Sequence, residues 1–163
     1  MKKYLYRIRR YIIFFFQVIF IEKPRGLDFT MFDTSALEQT EGRFHGYSKT
    51  NEKHLREIFD YITSENQAEY MRIIDVGCGK GVVLKEAAAY PFMSIGGVEL
   101  MPAISEIACK NMQILKLTDR VDICCGDATS FNYYGKYNVF FFFNPFSKEV
   151  FESVLKRIAD SAH

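Results

Sequence analysis

The 163-residue chain contains no tryptophan, only four prolines and only four cysteines. Cys78, Cys109, Cys124 and Cys125 form no C-x-x-C pair, and no cluster of histidine and cysteine has the spacing of a metal site. The sequence therefore predicts reduced thiols, a cytoplasmic location and no bound metal ion.

Net charge is also low, at +1, but it is distributed unevenly. Residues 1–25 contain seven basic residues and a single acidic one, which leaves the rest of the chain mildly acidic. A mildly acidic domain has no overall attraction to nucleic acid, so no specific nucleic-acid partner is expected. Any basic interaction surface is expected at the N-terminus.

The apolar stretch from Tyr11 to Ile21 is too short to span a bilayer, for which about 20 residues are needed. Glu22 and Lys23 follow it without a small-residue cleavage site, which argues against a signal peptide. Two interpretations stay open. The nearly all-round apolar character favours a helix packed on the domain, whereas the basic residues favour an amphipathic helix on anionic lipid. The second interpretation gives a peripheral membrane contact through residues 1–21.

Residues 22–50 have a loop-like composition, and helical and extended patterns alternate after them. A helix is predicted over 52–64, capped by Ser48, Thr50 or Asn51. Strands are predicted over Arg72–Val76, Ser94–Glu99, Arg120–Cys124 and Tyr137–Phe143. Further helices are predicted over Val82–Tyr90, over Pro102–Leu117 and from Ser147, as cap, to about Ala159. This alternation predicts an α/β fold, a Rossmann-like doubly wound parallel sheet in three α/β/α layers, formed by residues 51–163 after an N-terminal segment of residues 1–50.

The central motif, Asp75-Val-Gly77-Cys78-Gly79-Lys-Gly81, lies between the first strand and the next helix. Its glycines permit a sharp turn and the close approach of a ligand, although a tight strand–helix connection without a ligand is the alternative. The G-x-G-x-G spacing differs from the G-x-G-x-x-G of dinucleotide sites, which disfavours an NAD-dependent oxidoreductase. S-adenosylmethionine (SAM) has no phosphate. It carries an ammonium that suits Asp75 and a carboxylate that suits the loop amides.

Two more acidic residues follow neighbouring strands. Glu99 ends the second strand, where a carboxylate can accept hydrogen bonds from both hydroxyls of a ribose. Asp127, in Gly126-Asp127-Ala128 after the third strand, can accept a hydrogen bond from an adenine amino group, and an ordinary turn aspartate is an equal alternative. Together with the glycine motif, these residues predict a site for an adenosine-bearing cofactor.

Asn144, Pro145 and Phe146 directly follow the fourth strand and are the candidate catalytic residues. The carboxyl ends of parallel strands border the ligand crevice. The Asn144 side-chain oxygen can accept a hydrogen bond from an amine and so aim its lone pair at a methyl group, while Phe146 can face the developing positive charge. A strand-ending Asn-Pro turn is the alternative.

These motifs together resemble those of the class I SAM-dependent methyltransferases. The similarity is greatest to a bacterial group of small members that are distantly similar to the non-SET histone-lysine methyltransferases. The resemblance implies that SAM is the cofactor. It implies SAM contacts from Asp75, Gly77, Cys78, Gly79, Gly81, Glu99, Leu100, Asp127, Ala128 and Asn144. Residues 46–50 resemble the loop that covers the cofactor in that group, which implies further contacts from Tyr47 and Thr50.

The family's sheet has seven strands in the order 3-2-1-4-5-7-6, whereas this sequence predicts the first four only. We therefore expect a chain truncated at its C-terminus, with one edge of the fourth strand uncovered. A dimer, or the apolar N-terminal helix, is an alternative cover for that edge. The expected function is methyl transfer from SAM to an unidentified acceptor, an amine on a protein or small molecule. A non-catalytic SAM-binding remnant or regulatory subunit is the alternative.

Overall fold

The computed structural model describes residues 2–31, 49–64, 68–143 and 145–161. Its α-helices are α1 (Lys2–Phe16), α2 (Glu52–Thr63), α3 (Val82–Ala87), α4 (Pro102–Ile114) and α5 (Lys148–Asp160). Its strands are β1 (Arg72–Val76), β2 (Ser94–Glu99), β3 (Val121–Cys125) and β4 (Val139–Phe141). A π-helical segment (Gln17–Glu22) follows α1, and short 3₁₀ turns span Lys23–Arg25, Ala68–Tyr70 and Tyr134–Lys136.

The four strands form one parallel sheet in the order β3-β2-β1-β4. The chain builds the sheet outward from β1 to β3 and then returns to the other side of β1 to form β4. The strand order therefore reverses between β1 and β4. In open parallel sheets, ligands bind beyond the carboxyl ends of the strands at such a reversal. The fold thus predicts a ligand site at the carboxyl ends of β1 and β4.

Two apolar clusters cover the two faces of the sheet. Successive residues of β1 point to opposite faces, so Ile73 joins the first cluster while Ile74 and Val76 join the second. The first cluster receives side chains from α2, α3 and α4, and the second receives them from α5 and from the connection between β3 and β4. The predicted three-layer α/β/α architecture is confirmed.

Element boundaries differ from the predicted ones where local geometry overrides the pattern. Helix α3 ends at Ala87 instead of Tyr90, because Pro91 disfavours helical geometry at the residue before it. The chain turns instead, with the Tyr90 amide donating to the Ala87 carbonyl at 2.9 Å. Strand β4 covers three of the seven residues predicted for it, those that pair with β1 in register.

The helix starts agree with the cap predictions. Asn51 precedes α2, and its side chain accepts hydrogen bonds from the amides of Lys53 and His54 at 2.9 and 3.3 Å. Ser147 occupies the predicted cap position before α5, but its side chain makes no capping hydrogen bond. Helix α4 stops three residues before its predicted end, and Lys116 beyond it adopts a left-handed conformation with φ of 57°.

The N-terminal helix exposes its apolar surface. Nine large apolar side chains between Ile8 and Ile21 are at least 39% exposed, and Val18 is the buried exception in this stretch. Of the two interpretations left open above, the helix packed on the domain is therefore wrong for the described side chains from Ile8 to Phe16 of α1. None of the described helices is both long and apolar enough to cross a membrane.

Residues 22–31, by contrast, are fixed on the domain. Leu27 and Phe29 belong to the same core cluster as Leu55 of α2. The buried Glu22 carboxylate accepts hydrogen bonds from the amides of Phe29 and Thr30, both at 3.0 Å, and from the Thr30 hydroxyl. This turn contributes to the core that also packs under the glycine motif.

A buried ion pair joins this segment to the glycine motif. The Lys80 ammonium, 1% exposed, donates to both carboxylate oxygens of Asp28 at 2.8 Å and to the Met31 carbonyl at 2.7 Å. The Asn111 side chain of α4 accepts from the Asp28 amide at 3.0 Å and donates to the carbonyls of Asp28 and Lys80 at 2.9 and 3.0 Å. Three distant parts of the chain therefore meet at Lys80.

We expect the Asp28→Ala variant to lower the free energy of unfolding by about 2–3 kcal/mol. Removing one partner of a fully buried pair costs about 3–5 kcal/mol, and Asp28 is partly exposed. Glu57→Ala is the matched control, since it breaks the exposed Lys53–Glu57 pair and should cost less than about 1 kcal/mol. Urea unfolding of both variants measures the difference. Equal losses would show that the Lys80–Asp28 pair is no more important than a surface pair.

Candidate cofactor site

The glycine motif forms a tight loop at the carboxyl end of β1. Gly77, Gly79 and Gly81 have φ angles of 84°, 53° and 85°, in a region that residues other than glycine rarely adopt. A Cβ atom at Gly77 would lie 2.6 Å from the Cβ of Pro145. The loop after β1 therefore packs directly against Pro145, four residues beyond the end of β4, at the point where the strand order reverses.

The loop is held by its own amides. Four amides of the loop donate hydrogen bonds to acceptors within the protein, those of Gly77, Cys78, Gly79 and Gly81. The Val98 carbonyl accepts the first two at 2.9 and 3.0 Å, the Glu99 carboxylate the third at 2.9 Å, and the Cys78 carbonyl the fourth at 2.9 Å. These four amides are thus engaged in shaping the loop, and the expectation that they hold the SAM carboxylate finds no support in this geometry.

Glu99 connects the loops that follow three strands. One carboxylate oxygen accepts from the Gly79 amide and the other from the Met101 amide, both at 2.9 Å. Its backbone carbonyl accepts from the Gly126 amide at 2.8 Å. Burial raises the pKa of Glu99, while the backbone hydrogen bonds oppose that rise and favour the ionised form. Each carboxylate oxygen keeps a second lone pair, so the side chain can also accept hydrogen bonds from a ligand's hydroxyls.

Asp75 is the second buried carboxylate of the site. It is 3% exposed, and it pairs with Gly97 of β2 on one side and Phe141 of β4 on the other. Burial, with the negative charge of Glu99 as a lesser cause, raises the pKa of Asp75 to about 8. No hydrogen bond from the described residues offsets this rise. A buried carboxylate of this kind is stabilised by an incoming cation.

Asp127 has the geometry of a turn aspartate, one of the two alternatives that its sequence context left open. Its Oδ1 atom accepts from the amide and the hydroxyl of Thr129, both at 2.8 Å, which is the geometry of a turn aspartate. The same turn presents the carboxylate beyond β3, beside the loop that Glu99 fixes through Gly126. Oδ2 takes no part in these two bonds. A ligand contact through that second oxygen therefore stays a prediction compatible with the turn.

The other predicted residues have different surroundings. Cys78 and Ala128 are buried, and Leu100 is half-buried directly after Glu99. Thr50 is half-buried directly before Asn51, the cap of α2. Phe146 is 9% exposed and packs in the second core cluster, and its contact with a developing positive charge stays a prediction. Tyr47 and Asn144 lie outside the described residues. Their roles stay predictions as well.

Sequence reasoning missed the residues that support the loop from behind, namely Lys80, Asp28 and Asn111. Asn111 offered one signal, because it lies on the apolar face of α4 beside Met112 and Ala108, where a polar side chain needs partners. Within the described residues, no group of histidine, cysteine and acidic side chains is arranged to hold a metal ion.

The raised pKa of Asp75 predicts that the free protein loses stability as the pH rises. The folded state holds a proton up to about pH 8, whereas an unfolded aspartate releases it near pH 4. Stability is therefore lost between about pH 4 and pH 8, and each unit of difference between the two pKa values corresponds to about 1.4 kcal/mol. Asp75→Asn should remove this loss and be more stable than the parent above pH 8 in thermal melts.

Asp119→Asn, at an exposed position, removes the same charge and serves as the control. It should not produce the gain in stability at high pH. A profile for Asp75→Asn that is parallel to that of the parent across this range would show that Asp75 ionises as freely as a surface carboxylate.

Comparison with solved structures shows a similar fold in several proteins, among them a bacterial methyltransferase domain. Escherichia coli YjhP matches with a TM-score of 0.56 at 18% identity, over 69% of this chain and 45% of that one. The methyltransferase domain of bacterial CtHen1-CN matches with a TM-score of 0.56 at 19% identity, over 66% of this chain and 58% of that one. PKMT2 from Rickettsia typhi, in complex with AdoHcy, matches with a TM-score of 0.50 at 26% identity, over 56% of this chain and 18% of that one.

The chain thus spans less than two thirds of the length of each of these structures. No curated protein matches the sequence. The family model described as "Methyltransferase domain" matches residues 73–162, more than half of the chain, from β1 through α5. The matched residues include the glycine loop, Glu99, Asp127 and the segment after β4. The chain belongs to this methyltransferase domain family.

Proposed function

We propose that the chain transfers a methyl group from SAM to an amine acceptor on a protein or a small molecule. The observation that carries the proposal is the pair of buried carboxylates at the carboxyl ends of β1 and β2. Glu99 is held by two backbone amides, whereas no described residue donates a hydrogen bond to the Asp75 carboxylate, whose pKa is raised by burial and by the charge of Glu99. A ligand that carries two hydroxyl groups for Glu99 and a positive charge for Asp75 suits this pair of carboxylates.

SAM is the cofactor that the family and the AdoHcy complex of Rickettsia typhi PKMT2 indicate. It supplies a methyl group that is already activated on a sulfonium. The described residues fit this molecule. Asp75 would hold the ammonium of the methionine portion, Glu99 the ribose hydroxyls, and Asp127 the adenine amino group through its second oxygen. The three glycines allow the positive φ angles of the bends in this loop, and Gly77 allows the loop to pack against Pro145.

The protein's part in the reaction is then chiefly positioning. An amine that arrives neutral needs no base before it attacks, and fixing two reactants in line removes much of the entropic barrier. Pro145, which follows Asn144 in the sequence, packs against Gly77 of the glycine loop. The proposed role of Asn144 is to accept a hydrogen bond from the amine and so direct its lone pair.

A second candidate function is SAM binding without turnover, in a regulatory subunit. The observation that favours it is the position of β4, which pairs only with β1 in the described part of the sheet. The acceptor side of the site then borders an open sheet edge, where a second protein can add a strand. Binding and turnover experiments separate the two candidates.

The binding prediction concerns Asp75 and Gly79. Asp75→Ala removes the carboxylate for the ammonium, and Gly79→Val places a branched side chain at a φ of 53°. Each should weaken SAM and AdoHcy binding at least tenfold, about 1.4 kcal/mol, in calorimetric titration. Glu106→Ala, at an exposed position on α4, is the control and should bind like the parent.

The same titrations carry a proton readout. Below pH 8 the parent should release protons when SAM binds, because the cation drives Asp75 to ionise. Titration in buffers of different ionisation enthalpy measures this release. Equal affinities in the parent and both site variants would contradict the assignment of the cofactor site.

The turnover prediction concerns Asn144. Asn144→Ala should lower the rate of methyl transfer and leave SAM affinity nearly unchanged. Losing one well-placed transition-state hydrogen bond costs about 2.7–4 kcal/mol in a site that excludes water, and we expect a smaller effect at an open sheet edge. The assay follows radiolabelled methyl transfer from SAM to lysine-containing peptides and small primary amines.

Two outcomes would count against these roles. Unchanged turnover in Asn144→Ala would show that the asparagine takes no part in the reaction. If the parent binds SAM with normal affinity but methylates none of these amines, and none of a matching set of hydroxyl and thiol compounds, the regulatory candidate replaces the catalytic one.

A further inference from the structure

The N-terminal helix presents an apolar stripe that no described residue covers. The stripe follows the helical repeat of three and four residues and consists of Ile8, Tyr11, Ile12, Phe15, Phe16 and Ile19. All six side chains are exposed, between 39% and 63%, and together they line a shallow groove along the helix. Contiguous exposed apolar patches on a protein surface mark interaction sites.

The stripe stands apart from the part of the segment that is anchored. Val18 is buried, and Glu22 holds the following turn through the amides of Phe29 and Thr30. Five side chains of the stripe come before Val18 in the sequence, and Ile19 lies between Val18 and Glu22. All six are exposed. The fold therefore fixes the base of the segment and leaves its apolar surface available to an occupant.

Charge decides which occupant fits. Residues 1–25 carry seven basic residues and one acid, Glu22, which is buried and already paired with Lys49 at 3.5 Å. At 3.6 residues per turn, the five basic positions before Tyr11 fall outside the stripe. Arg9, Lys23 and Arg25 are exposed. A basic helix with an aromatic and aliphatic stripe is the pattern of a segment that lies in the surface of an anionic bilayer.

A second copy of this chain fits less well. Pairing two stripes would bring two strongly basic segments within about 10 Å, the distance over which charges act at 0.1 M salt. An anionic surface, in contrast, attracts every basic residue near it, by about 1 kcal/mol for each. The same positive charge thus opposes self-association and favours lipid.

We propose that residues 8–20 form a peripheral membrane-binding helix that inserts its apolar stripe between the headgroups of anionic lipids. This inference concerns a surface to which none of the candidate cofactor residues contributes, and it does not depend on the proposed methyl transfer. The acidic remainder of the chain has no such attraction to an anionic surface, so binding should depend on the N-terminal segment alone.

The test is flotation of the full chain with vesicles of phosphatidylcholine alone or of phosphatidylcholine mixed with phosphatidylglycerol. The double variant Ile12→Glu, Phe16→Glu disrupts the stripe at two exposed positions. The control is Tyr61→Glu with Tyr70→Glu, which introduces the same charge at exposed aromatic residues of the domain. A single change, Phe20→Glu, provides a milder variant at another exposed position.

We expect at least about tenfold tighter binding to the anionic vesicles than to the neutral ones, and weaker binding as salt rises from about 0.1 M to about 1 M. The stripe variant should lose about tenfold or more, whereas the domain control should stay within about twofold of the parent. SAM affinity should be the same in all of these variants, which separates this result from any failure of the cofactor site.

Equal binding by the parent and the stripe variant would overturn the proposal. So would equal binding to neutral and anionic vesicles. A lipid-free dimer in light scattering that the stripe variant converts to a monomer, without binding of the parent to vesicles, would also overturn it and identify the stripe as a contact between copies.

Discussion

The hydrogen bonds of Glu99 are the interaction on which the candidate site depends. Its two carboxylate oxygens hold the amides of Gly79 and Met101, and its carbonyl holds the amide of Gly126. A single residue at the end of β2 therefore fixes the loops after β1, β2 and β3 relative to one another. Parallel pairing of β1 with β2 makes this possible, because it brings the ends of both strands to the same edge of the sheet.

The same arrangement imposes an electrostatic cost. Glu99 must be ionised to accept its backbone hydrogen bonds most strongly, and its charge then acts on Asp75 in a buried setting. Burial, together with this charge as the lesser cause, raises the pKa of Asp75, and no described donor offsets the rise. The free site thus stores unfavourable electrostatic energy that a cationic ligand can relieve. Stability and ligand affinity are opposed at Asp75, as is common where function requires a buried charge.

Local patterns in the sequence predicted most of the fold. Strand–helix alternation predicted the parallel sheet, Asn51 the start of α2, and the glycine motif the loop at the end of β1, since each signal lies within a few neighbouring residues. Local patterns could not predict the hydrogen bonds that Asp28 and Asn111 make around Lys80. Asp28 is 52 positions from Lys80 and 83 from Asn111, and contacts over such separations arise only after the chain has folded. The exposure of α1 was missed for a related reason: periodicity shows which face of a helix is apolar but not what covers it.

The anchored turn of residues 22–31 connects the apolar stripe of the N-terminal helix to the glycine motif. Residues 22–31 follow the apolar stripe directly in the chain and end at the contacts of Asp28 and Met31 with Lys80, inside the glycine motif. Glu22, Lys80 and Asn111 are all buried and hydrogen-bonded, so this connection is anchored on the domain. A helix bound at a bilayer would therefore keep the domain that contains the glycine loop at the lipid surface. Acceptors that are themselves concentrated at that surface would meet the site more often than those in bulk solution, without any further contact between acceptor and domain.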